Sequence, residues 1–145
     1  MPWQVVIAEF RGDEKAAVEL KELGARRVVP LRVSGAFHSS YMEEAKTELT
    51  PYILNCPFKA SPIDLSMNVT GKVEDDLSLI KNNLINQMTS TTHWMKQVQE
   101  MDRMGVDFVE IGPKQLSSLN KKMDTVNTFV TIKEAKDIEK LYETV

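Results

Sequence analysis

Cysteine is nearly missing from this sequence: Cys56 is the only one in 145 residues, and His38 and His93 are the only histidines. A single thiol excludes an intrachain disulfide, and a reducing cytosol is the natural compartment, so a cytoplasmic location is expected. Two distant histidines and a lone cysteine leave no metal-ligand spacing, so neither a metal nor any other cofactor is expected. The phosphate-cradling patterns G-x-x-x-x-G-K-[ST] and G-x-G-x-x-G are absent. So is the G-x-S-x-G elbow that presents a nucleophilic serine on a strand-to-helix turn. No stretch approaches the roughly 20 apolar residues of a membrane span. The apolar run Val5–Ala8 is too short for a signal sequence and lacks a basic lead. The net charge of −3 comes without the basic stripe of a nucleic-acid binder. Membrane and nucleic acid are therefore not expected as partners.

What remains is a globular composition, 42% hydrophobic and 27% charged, long enough for one domain. Val5–Ala8 and Arg27–Leu31 read as buried strands. Between them Ala16, Ala17, Leu20 and Leu23 mark a helix that Gly24 ends. Residues 34–38 read as a turn. Ser39–Leu54 reads as a helix that Pro51 kinks or splits. Asn55–Pro62 reads as a loop, Ile63–Val69 as a strand and Asn68–Gly71 as a turn. Asp75–Met88 and Thr92–Met104 read as helices, the second with Trp94, Val98 and Met101 facing inward. Asp107–Ile111 is a strand, Gln115–Met123 a short helix, Thr128–Ile132 a strand and Glu134–Glu143 a last helix. Strands alternating with helices place the fold in the α/β class.

Five blocks in order carry a resemblance. They are "QVVIA" at 4–8, "GARRVVPLRVSGAFHSSYM" at 24–42, "MNVTG" at 67–71, "NQMTSTTHW" at 86–94 and "FVEIGPKQLSSLNKK" at 108–122. The chain resembles the malonyl-CoA:acyl carrier protein transacylases, over nearly all of its length but only the C-terminal half of the family's usual chain. The resemblance implies an acyltransferase fold. Residues 1–34 would be one strand-helix-strand half of a ferredoxin-like subdomain, and residues 35–145 the C-terminal part of the larger α/β-hydrolase-like subdomain. The segment with the serine elbow, the oxyanion-hole motif and the malonyl-pairing arginine would lie outside these residues. Two departures stand out. The family's G-P-G-K is Gly112-Pro113-Lys114 here, and the proline before its tryptophan helix is Thr91.

The family's reaction moves a malonyl group from CoA to a serine and then to the pantetheine thiol of acyl carrier protein. By resemblance His38 is its base, a role that suits a ring titrating near neutrality. Gln87 reads either as an ordinary polar residue at a helix C-terminus or, by resemblance, as the residue whose backbone carbonyl orients that base. Phe37 reads either as a core side chain or, by resemblance, as the ring beside the acyl site that favours malonyl over branched groups. Ser39, Ser40 and the pair Asp75-Asp76 read as helix caps, and Asn68 as a turn residue. Lys114, Lys121 and Lys122 read as solvated or as contacts for an acidic carrier protein. Two functions stay open: half of a transacylase completed by a serine-bearing partner, or a non-catalytic truncated relative that binds or assembles. Exposed strand faces would further lead to self-association.

Overall fold

Helices and strands are mixed along the chain in the computed structural model, which describes residues 5–7, 13–31, 33–120, 122–123 and 129–139. The elements run α1 (Asp13–Glu22), α2 (Glu43–Asn55), β1 (Leu65–Met67), β2 (Lys72–Glu74), α3 (Leu77–Asn86), α4 (Trp94–Arg103), β3 (Phe108–Ile111), α5 (Leu116–Asn120) and β4 (Phe129–Ile132). Single 3₁₀ turns cover Ser40–Met42 and Ala135–Ile138. The chain divides into two compact units, Met1–Ala60 with Asp76–Thr92 and Ser61–Asp75 with His93–Val145.

In the first unit α1 ends as Gly24 dictates. Gly24 sits at φ 100°, its N–H donates to Lys21 O and the next N–H, of Ala25, reaches back to Leu20 O. This pair of bonds satisfies carbonyls that a helix end otherwise leaves bare. α2 packs on α3, where Ile80 is buried. Asp76 starts α3 by accepting from the N–H groups of Ser78 and Leu79. Lys81 donates to Leu54 O at the end of α2 and lies over the Phe58 ring. α2 is neither split nor ended at Pro51, which lies inside it. Proline removes one N–H, but only one turn of helix follows, and Thr47 and Thr50 return their hydroxyls to Glu43 O and Lys46 O.

In the second unit β1 and β2 form an antiparallel hairpin, Met67 opposite Lys72, against α4. α4 buries Val98 fully and Gln97 nearly so. Gln97 is held by Asn68, whose side-chain oxygen accepts from it, and by the Ser66 hydroxyl, which donates to it, so its amide is buried with both ends satisfied. β3 and β4 pair in parallel, Val109 beside Val130 and Ile111 beside Ile132. Those four side chains share one face of the pleat. Glu110 and Thr131 share the other, toward α5, where Thr131 donates to Ser117.

Several expectations are corrected. Val5–Ile7 and Arg27–Leu31 lie in no strand among the described residues, and Val5, Val6, Ile7, Val29 and Leu31 are exposed. β-branched runs favour extended backbone, but a strand needs a neighbouring chain to bond. Ala8 lies outside the described residues. Asn68–Gly71 does not merely end a strand. It reverses the chain into β2, because Gly71 at φ 62° returns its N–H to Met67 O. The last helix is a 3₁₀ turn at Ala135–Ile138, started by reciprocal bonds between Glu134 and Asp137; residues 140–143 lie outside the described residues.

Candidate active site

The turn at residues 34–42 has one unusual feature of the backbone, at His38. Gly35 leaves space that the Phe37 ring lies over, with Phe37 Cζ 3.6 Å from where a Cβ would stand. His38 has φ 60°, in the left-handed region that an L residue rarely takes. Directly after it the Ser39 hydroxyl donates to Ala36 O at 2.6 Å and accepts from Tyr41 N–H at 3.3 Å, capping the 3₁₀ turn. Ser39 is thus a cap, and its proton is committed to a carbonyl. Phe37 is half-exposed, 49% accessible, and not a core side chain.

The turn carries the His38 ring to the end of α3. Gln87 is the C-cap of that helix, and its N–H donates to Asn83 O. Carbonyls in a last turn have no intrahelical donor, and Gln87 O accepts from His38 Nδ1 at 2.8 Å. A carbonyl only accepts, so the proton is on Nδ1 and the neutral ring keeps its lone pair on Nε2. Just beyond, Thr89 N–H donates to Asn86 O, and Lys46 of α2 reaches the Thr89 hydroxyl at 3.5 Å. The loop bearing the acceptor is therefore tied to both α2 and α3. The structure brings His38 and Gln87 together; Phe37 stands on the same turn, with its ring against Gly35.

The remaining candidates are spread out. Cys56 is exposed at the end of α2. Asn68 shapes the hairpin, its carbonyl accepting from His93 N–H. Lys114 is exposed, and Lys121 lies outside the described residues. Among the described residues no three of His, Cys, Asp and Glu group to hold a metal ion, and no helix is long and apolar enough to cross a membrane.

Two residues were missed by sequence reasoning. Glu110 is buried, and its carboxylate accepts from the N–H groups of Gln115, Leu116 and Ser117. Burial pushes its pKa up, but those bonds outweigh the burial and hold it below the ordinary value of 4.5. An acidic residue at the end of a strand, just before a Gly-Pro turn and a short helix, was the available signal. Asn120 is also buried and accepts from the Trp94 indole N–H. An asparagine inside a helix gives no such signal.

No protein-family model matches the chain. It is 34% identical over 141 residues to the malonyl CoA-acyl carrier protein transacylase of Staphylococcus aureus (strain COL), with 95% of this chain and 46% of that protein aligned. It therefore spans about half the length of the curated relatives it matches. The crystal structure of MCAT from Streptococcus pneumoniae superposes with a TM-score of 0.82 at 29% identity, covering 91% of this chain and 44% of that one. A malonyl-transacylase in complex with its type II PKS acyl-carrier protein gives 0.85 at 25% identity, covering 91% and 43%. Over the half of those proteins that it spans, the chain belongs with the malonyl-CoA:acyl carrier protein transacylases, and its fold is a fragment of their acyltransferase fold.

Proposed function

We propose that this chain supplies the catalytic histidine of a malonyl-CoA:acyl carrier protein transacylase, and that the nucleophilic serine comes from a segment these 145 residues do not contain. The order of the matched motifs points to the C-terminal half. The observation that carries the reading is the 2.8 Å bond from His38 Nδ1 to Gln87 O. It leaves Nε2 as the basic atom and sets an acceptor behind the ring for the charge the ring takes on.

In the proposed cycle Nε2 takes the serine proton as the serine oxygen bonds the thioester carbon. The carbon–sulfur bond then breaks, and the same proton passes to the CoA sulfur. In the second half the pantetheine thiol gives its proton to Nε2, its sulfur bonds the acyl carbon, and the serine oxygen leaves with the proton. Phe37, beside the base, crowds an α-substituent on the acyl group. Malonyl-CoA and acyl carrier protein are the proposed partners, as the names of the relatives suggest.

The test is complementation. A separately expressed serine-bearing half from a relative, mixed with this chain, should give transfer from labelled malonyl-CoA to acyl carrier protein. His38→Ala should lower that rate by about 10²–10⁴-fold. The 145-residue chain alone should gain no malonyl group by intact mass. Stable association of the two halves without turnover would replace this reading with that of a non-catalytic binding module.

A further inference from the structure

We infer that Ser39 is the positioning residue for the His38 base, acting by holding residues 36–39 in the one turn that aims the ring at Gln87. The inference rests on the role proposed above for His38. Left-handed backbone is strained for an L residue, and it persists only where the surroundings over-determine it. At φ 60° His38 is such a residue. The Ser39 hydroxyl supplies the constraint from both sides. Its 2.6 Å bond to Ala36 O spans Phe37 and His38 and closes the turn over them. Its 3.3 Å acceptance from Tyr41 N–H fixes the same oxygen to the 3₁₀ turn that follows. With both bonds made, the His38 side chain has one approach to a partner 49 positions along the chain. With them lost, residue 38 relaxes to ordinary backbone, and the ring turns away from Gln87 O. Ser39 touches no reacting atom in this scheme. It decides which ring nitrogen carries the proton.

The ¹⁵N shifts of the imidazole nitrogens, in the full chain at a pH where the ring is neutral, read this directly. His93→Gln assigns the two rings. We expect His38 to be the Nδ1–H tautomer in the unaltered chain. In Ser39→Ala it should shift toward the Nε2–H form that free histidine prefers, and Ser39→Thr should restore it. Should Ser39→Ala fail to fold, Ser39→Gly serves, since glycine is tolerated at an N-cap far better than alanine. Unaltered His38 shifts in the folded alanine or glycine variant would overturn the inference, as would an unaltered chain with no preference for Nδ1–H. The measurement needs no substrate, so its outcome is separate from whether complementation gives turnover. Where turnover is obtained, Ser39→Ala should lower kcat by about 10–100-fold and leave KM for malonyl-CoA unchanged. A shifted tautomer with full kcat would also overturn the positioning role.

Discussion

Residue 114 sits in the turn that has one glycine fewer than the resembled motif. Lys114 takes φ 59° itself, in a region where glycine is at ease. We expect Lys114→Gly to stabilise the protein, because relief of about 1–2 kcal/mol of strain exceeds the roughly 0.5–1 kcal/mol that glycine's freedom costs. The net is at most about 1.5 kcal/mol, a rise in Tm of up to about 6 °C; a lower Tm would show that the turn is unstrained. Glu110 gives a pH dependence at the same turn. Its folded pKa lies below the unfolded one, so its contribution is full above about pH 5 and is lost as pH falls through the folded value. Glu110→Gln should cost about 1.5–3 kcal/mol at neutral pH and flatten the acid limb of a stability-against-pH curve. A variant with an unchanged acid limb would place the acid sensitivity elsewhere. Phe37→Ser, in the complemented enzyme, should shift kcat/KM toward methylmalonyl-CoA by about 10–200-fold, the scale of one methyl in a pocket. An unchanged ratio would remove Phe37 from the acyl site.

At the scale of elements, the hairpin turn and the first turn of α4 form one clamp. A Cβ on Gly71 would stand 2.9 Å from Lys96 Cδ and 3.0 Å from His93 Cβ, and Lys96 also donates to Thr70 O at 2.6 Å. The lysine stem can swing, but His93 Cβ cannot, and φ 62° adds strain of its own. Gly71→Ala should therefore cost about 1–2 kcal/mol or more in urea unfolding. A neutral effect would mean that the clamp is loose. This element also shows where the sequence was legible. The helical stripe of Trp94, Val98 and Met101 located α4, and Asp76 and Gly24 marked helix ends, because caps and periodicity are local signals. The pairing of β1 with β2 was not legible, since three-residue strands give no period. Nor were strands at Val5–Ile7 and Arg27–Leu31 refuted by composition: an apolar β-branched run announces burial without saying against what. In the site, His38 and the carbonyl of Gln87 came from resemblance alone, because a backbone acceptor leaves no mark on side-chain identity. The hydroxyl of Ser39 looked like a cap and is one; its hold on Ala36 O depends on a backbone angle that no spacing reveals.

For the whole molecule the notable quantity is exposed apolar surface. Among the described residues the buried apolar side chains are Met67, Ile80 and Val98, whereas Ile111 is 84% exposed and Leu23 85%. Parallel strands are ordinarily covered on both faces, yet Val109 and Ile111 of β3 are open to solvent. Surfaces of this kind find partners. We expect the chain alone to self-associate at micromolar concentration, and a serine-bearing half to compete with that association. Light scattering reporting a monomer that unfolds cooperatively would be the contrary result.

The bond between His38 and Gln87 has a consequence for the order in which the protein comes apart. Joining positions 49 residues apart costs a flexible chain about 3 kcal/mol in loop closure, while one such bond returns only about 0.5–1.5 kcal/mol. The bond therefore cannot assemble the turn and the helix end by itself; it forms once α2 and α3 have packed. Amide exchange at the end of α3 should then follow the opening of that helix pair, with His38→Ala hardly altering the rate. Substitutions deep in the α2–α3 contact, far from any reacting atom, should silence the ring first and the helices afterwards.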